Sequence, residues 1–296
     1  TASSRQPGPR TLGVMTATTT AATQPAKTHQ SPTEIAPDTF VIHDHTGEGH
    51  APVLVPINSM LIRGAEPVVV DTGAAEHRDQ FFADLFSLVD PEDIRWVFIS
   101  HDDVHHTGAV NELMELAPNA TLVINWLMAE RMGASLQVSP LRQRWMYDGE
   151  ILDVADRKLL TVRPPVYDSP TTRGLFDTKT RVYWGSDCFG SPMPTPVRYA
   201  SELPADLFEI GLATFSRYVS PWIEIAQPEA FRRSVDRIAE MMPAAIASCH
   251  GSVIARTDVE RAIELIRTAP TAEILPIADQ SVLDEIQMQL MAVTHG

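Results

Sequence analysis

Cysteine is scarce in this chain of 296 residues. Only Cys188 and Cys249 occur, too few for a disulfide framework or a zinc site built of four thiolates. Basic residues are also few: 23 Lys and Arg stand against 38 Asp and Glu, a formal net charge of −15. Such a surface repels phosphate backbones and anionic lipid, so neither nucleic acid nor a membrane surface is expected as a partner. No apolar run approaches the roughly 20 residues that span a bilayer, and the start of the chain lacks the charged-then-apolar layout of a secretory signal. A cytoplasmic protein is expected, with 44% hydrophobic residues to build a full core.

Apolar periodicity is missing at the start as well. Residues 1–38 are rich in Thr, Ala, Ser, Pro and Gln and cannot repay the entropy of folding. They read as a flexible N-terminal arm, with Met15 a candidate natural start, and residues 39–296 as a single domain ending in a helix. From Phe40 the runs "TFVIHD", "PVLVPINSMLIRG" and "EPVVVDTG", punctuated by Gly and Pro, predict an antiparallel opening sheet. "HRDQFFADLFSLV" has helical spacing and "IRWVFIS" returns to strand. "GAVNELMELAP" predicts a helix, "ATLVIN" a strand, and residues 125–149 helical or irregular structure. "RKLLTVRPPV" and "GLFDTKTRVYWGSD" predict a strand and a hairpin turning at Asp177, Thr178 and Lys179. Helices follow at about 203–218, 227–241 and 257–268, with the strand "AAIASCHG" between the last two. The amphipathic "SVLDEIQMQLMAV" suits a packing helix or a dimer contact. Two sheets packed face to face with helices outside, an α/β fold of the α+β type, are expected.

The strand "IRWVFIS" runs into "HDDVHHTGA", which sets three histidines and two aspartates in six positions. Imidazole and carboxylate are the usual donors to zinc, iron and manganese. In an extended loop residues 101, 103 and 105 point to one side, and a turn before Gly108 brings in His106. His101, Asp103, His105 and His106 are therefore candidate ligands for two adjacent ions.

This loop resembles the His-x-His-x-Asp-His signature of the metallo-β-lactamase fold. "VVVDTG" is similar to the early family strand ending at Asp71 and Gly73, "YWGSDCFG" to the strand ending at a bridging aspartate, here Asp187, and "ASCHGSV" to the strand delivering the last histidine, here His250. The detail is most similar to the lactamase-type domain of flavodiiron and oxygen-binding diiron proteins, whose loop is His-x-Glu-x-Asp-His. The resemblance implies a four-layer αββα metallo-β-lactamase sandwich. His105 stands where the family has aspartate, and Asp168 where it has the middle histidine, a reciprocal exchange. The inventory His101, Asp103, His105, His106, Asp168, Asp187 and His250 keeps four histidines and three carboxylates. By that resemblance His101, Asp103 and Asp168 hold one ion, His105, His106 and His250 the other, and Asp187 bridges. Iron or manganese suits the carboxylate-rich position, zinc or iron the other.

Asp71 is implied to support the ligand loop by hydrogen bonds. Cys188 and Cys249 neighbour Asp187 and His250, but adjacent strand residues face opposite ways, so buried small side chains are expected rather than ligands. His43, His45 and His50 read as a solvated group. Trp145, Met146 and Tyr147 suit either a lid or core packing.

A dinuclear hydrolase is the expected activity. Two ions about 3.5–4 Å apart activate water between them, for attack on a small-molecule ester, thioester, lactone, amide or activated ether. Asp187, as the bridge, and Asp103, as a proton shuttle, are the catalytic candidates. The alternative is a non-haem diiron protein that binds or reduces O2 or NO. That reading needs electrons, and the stretch after residue 268 is too short for a fused flavodoxin domain, so a separate partner would supply them. A homodimer or larger oligomer, with room for an unlike subunit, is also expected.

Overall fold

The computed structural model describes residues 28–48, 53–276 and 279–294. Most of the expected arm, Met15 and His50 lie outside them. Two sheets carry the fold. The first has seven strands in the spatial order Thr33–Ala36, Thr39–Ile42, Ser59–Ile62, Val68–Val70, Trp96–Phe98, Thr121–Ile124 and Gln143–Trp145. It is antiparallel up to Val68–Val70 and parallel beyond. The second has six strands: Ile151–Asp153, Lys158–Val162, Gly174–Asp177, Val182–Trp184, Ala245–Ser248 and Gly251–Ala255. Its one parallel pair joins Val182–Trp184 to Ala245–Ser248.

Period-two alternation sorts the side chains of each strand between two faces. Met60, Ile62, Val68, Val70 and Phe98 of the first sheet meet Leu159, Leu175, Val182 and Trp184 of the second in one core between the sheets. Leu61, Val69 and Val97 face the other way, onto Arg78–Phe86, Val110–Leu116 and Trp126–Met132. Phe176, Tyr183, Ile246 and Ile254 pack outward against Ala205–Val219, Pro228–Glu240 and Val259–Thr268. The result is the four-layer αββα sandwich that the sequence resemblance implied.

Two expectations need correction. The sheet begins at Thr33, inside the segment read as an arm. Thr33–Ala36 is an edge strand paired on one side only, so its "TEIA" needs no apolar repeat. Within residues 125–149 a helix, Trp126–Met132, is followed by a further edge strand, Gln143–Trp145, which pairs with Thr121–Ile124. There Met146 is core, while Trp145 and Tyr147 are exposed. The terminal helix spans Gln280–Thr294. Among the described residues no helix is long and apolar enough to cross a membrane.

Candidate metal centre

Strand ends from both sheets meet at one edge of the sandwich. Asp71 follows Val68–Val70 in the left-handed region (φ 59°), a costly conformation for a residue with a Cβ. Its fully buried carboxylate accepts hydrogen bonds from Ser100 N (2.7 Å), Ser100 Oγ (2.7 Å), His106 Nδ1 (2.8 Å) and Trp184 Nε1 of the second sheet (3.0 Å). These bonds offset the local strain and fix the ligand loop. Gly108 completes that fixation, because a Cβ there would fall 2.3 Å from Ala75 N and 2.5 Å from Gly73 O. The two loops touch backbone to backbone, with Gly108 N donating to Gly73 O at 2.9 Å.

The loop itself is not extended throughout. Val104–Thr107 forms one helical turn, capped by the Asp103 carboxylate on Val104 N. Successive side chains on a helix are about 100° apart, and positions three apart share a face. His105 and His106 therefore point in directions about 100° apart, and Asp103, at the extended N-cap, is set by the cap and not by the helical period. The His105 ring lies 5.5 Å from that of His250, half-buried, outside every potential ligand group among the described residues. The expected alternation of residues 101, 103 and 105 is interrupted by this turn, although the rings of His105 and His106 both lie 5.5 Å from that of His250.

The other predicted residues converge. Ligand atoms of His101, Asp103 and Asp168 lie within 4.8 Å of one another, and so do those of His101, His106 and Asp187. Asp187 follows Val182–Trp184 and is buried. Its Oδ1 stands 3.1 Å from His106 Nε2 and 3.5 Å from His250 Nε2, and its Oδ2 stands 3.5 Å from His101 Nε2. His101 Nε2 is also 3.5 Å from Asp168 Oδ1. Each imidazole is held from behind: His106 Nδ1 donates to Asp71, His250 Nδ1 donates to the Pro56 carbonyl at 2.7 Å, and His101 Nδ1 joins Ser186 Oγ at 3.1 Å. With Nδ1 of His106 and His250 held from behind, the Nε2 atom of each ring faces inward and is free to coordinate once its own proton is displaced.

The charges are strongly coupled. Burial raises the Asp187 carboxyl, but the imidazoles of His101, His106 and His250 outweigh it and hold that carboxyl far below the ordinary range. Burial and the Asp187 charge push Asp168 up to about 7. Burial, aided by the charge of His106, lowers His101 to about 4. Burial likewise pulls on His106 and His250, but Cys249 and the neighbouring carboxylates prevail, holding His106 well above its usual value and His250 at about 9.

His101 Nε2, His106 Nε2 and Asp187 Oδ1 are buried without a hydrogen-bond partner. An unsatisfied buried group costs about 1–3 kcal/mol, and here three of them face one another, beside two further carboxylates. A pair of metal ions satisfies all three atoms, so the residues present fit such a group.

Sequence reasoning anticipated Asp71 as a support of the ligand loop but missed the other supporting contacts. Asp102 Oδ1 accepts from Ser169 Oγ (2.8 Å) and Thr171 Oγ1 (2.7 Å), and Arg131 reaches its other oxygen. Ser100, Ser186 and the Pro56 carbonyl carried no signal, since a serine or a carbonyl near a strand end is ordinary. His43 and His45, expected to be solvated, are buried and bonded to Thr33 Oγ1 (2.9 Å) and Glu48 (2.8 Å). Cys188 is buried as expected. Cys249 is buried as well, and its Sγ lies within 4.8 Å of ring nitrogens of His106 and His250.

Comparison with known protein families adds a match to the model described as ODP family beta lactamase, over residues 55–251. The chain belongs to that family. Among curated relatives, a diflavin flavoprotein (A 3) of Nostoc sp. is 31% identical over 150 residues, which is 50% of this chain and 25% of that protein. The anaerobic nitric oxide reductase flavorubredoxin of Salmonella typhi is 25% identical over 189 residues, 62% of this chain and 40% of that one. Among solved structures, rubredoxin oxygen:oxidoreductase from Desulfovibrio gigas superposes with a TM-score of 0.69 at 18% identity, covering 80% of this chain and 61% of that chain. That likeness is one of fold. This member of the ODP family thus matches between a quarter and a half of the length of the two curated relatives. The expected hydrolase is overturned here, because the curated relative just named for an activity is a nitric oxide reductase, not a hydrolase.

Proposed function

We propose that this protein is a non-haem dinuclear iron protein that binds or reduces O2 or NO with electrons from a redox donor. The observation that carries the reading is the convergence of three imidazole Nε2 atoms on the Asp187 carboxylate, each ring held from behind. His101, Asp103 and Asp168 are assigned to one ion, His106 and His250 to the other, and Asp187 to both. Three carboxylates among six such donors favour iron over a zinc pair. When bound, the metal pair supplies the electron-transfer capacity that no side chain of this site has. The names of the relatives support the choice of O2 or NO as substrate.

The side chains divide the remaining work. Asp71 fixes the His106 tautomer, and the Pro56 carbonyl fixes that of His250. His101, His106, Asp187 and His250 exclude water from the interior side, while Asp103 and Asp168 reach toward solvent. A small diatomic ligand enters from that open side. Asp103, beside the opening, is placed to relay protons, and Asp187, behind it, to keep the two ligand groups in register.

The deciding experiment is iron analysis of protein purified anaerobically, followed by O2 and NO consumption with a chemical reductant. Close to two irons per chain and reductant-dependent consumption are expected. Zinc-loaded protein whose spectrum and activity are indifferent to both gases would sink the reading.

A further inference from the structure

Cys249 escapes the alternation that would turn it away from His250. The strand ends at Ser248, which pairs with Gly251, so residues 249 and 250 form a two-residue hairpin turn. The turn is fixed on both sides: Cys249 N donates to Ser186 O at 2.9 Å, and Asn58 N donates to Cys249 O at 2.8 Å. The Cys249 side chain is completely buried. Its Sγ and ring nitrogens of His106 and His250 all lie within 4.8 Å of one another. Ligand atoms at about 2.0–2.3 Å from one ion stand roughly 3–4 Å apart, so this spacing suits a shared ion. A second observation points the same way: His106 Nε2 is buried, unpartnered and part of the site.

His105, the residue that sequence resemblance assigned there, has its ring 5.5 Å from that of His250 but does not join His106 and His250 in a group of converging ligand atoms, as Cys249 does. Charge favours a thiolate. Two divalent ions bring four positive charges, Asp103, Asp168 and Asp187 return three negative ones, and a buried site is most stable near neutrality. A coordinated thiol loses its proton on binding the ion.

We propose that Cys249 is a thiolate ligand to the metal ion held by His106 and His250. The inference rests on the dinuclear site of the preceding section but not on its redox reaction. The test is to load the purified full chain with Co(II), count bound cobalt and record the near-ultraviolet spectrum. Two cobalt ions and a sulfur-to-cobalt charge-transfer band are expected. Cys249→Ser and Cys249→Ala should lose the band, with circular dichroism unchanged, while His105→Ala keeps it. Two bound cobalt ions without the band, or a band that survives in a folded Cys249 variant, would overturn the ligand assignment alone. A chain that takes up no cobalt overturns the dinuclear site and this ligand with it.

Discussion

Asp102 Oδ1 and Thr171 Oγ1 stand 2.7 Å apart across 69 residues of sequence. That bond, with its neighbour from Ser169, pins the loop bearing His101 and Asp103 to the segment bearing Asp168. Asp102→Ala should separate the two halves of the first ligand group and weaken one metal by about 10–100-fold, the usual cost of losing such a support. Titration with a competing chelator reads the change. Arg131→Met should have little effect, because its guanidinium is half exposed. Equal losses in both variants would show that the charge pair, not the clamp, matters.

Asp168 and Asp187 separate the two ions by stoichiometry. Asp168→Ala should release about one metal per chain, whereas Asp187→Ala should release both, since the Asp187 carboxylate faces all three imidazoles. His106→Ala should release the other ion and abolish activity with it. Metal counts in the dialysed variants check this, and an unchanged count in Asp168→Ala would reduce that residue to a turn aspartate.

Asp71 allows stability and site chemistry to be measured apart. Asp71→Ala strands four buried donor groups and should destabilise the fold by about 3–5 kcal/mol in urea denaturation. Asp71→Asn keeps the shape, but its amide can present a donor to His106 and so disturb the tautomer. Metal affinity should then fall by more than stability does. Parallel losses in the two quantities would argue against a tautomer role.

His43 gives the pH dependence. Burial, with help from the Arg198 charge, lowers it from 6.5 to about 4. As pH falls below 6.5 the unfolded chain takes up this proton before the folded one does. Stability is therefore full above about 6.5 and declines by about 3 kcal/mol as pH approaches 4. His43→Gln should flatten that part of the stability–pH curve. A wild-type slope retained in the variant would assign it to other groups.

The sequence made the strand ends legible, because short apolar runs ending in His or Asp locate His101, Asp187 and His250 without reference to packing. The layers were legible for the same reason: period-two strands alternate with amphipathic helices. The orientation of His105 was not, since it depends on where one helical turn starts, and Asp103 decides that by capping Val104. Burial of Cys249 was legible, but its approach to His106 and His250 was not, because strand parity applies only as far as the strand, which stops one residue earlier. The edge strands Thr33–Ala36 and Gln143–Trp145 escaped notice because pairing on one side leaves half or more of their residues polar. The reaction type was least legible of all, since the same donors serve water activation and electron transfer.

The site draws His101, Asp103 and His106 from the first sheet and Asp187 and His250 from the second, and the bond from Trp184 to Asp71 crosses between them. Neither sheet alone holds a complete ligand group around Asp187. A metal pair held by these residues would therefore depend on the docking of the two sheets. A nascent chain with only its first sheet emerged would not assemble the centre, and tight metal retention becomes a report that the sandwich has closed.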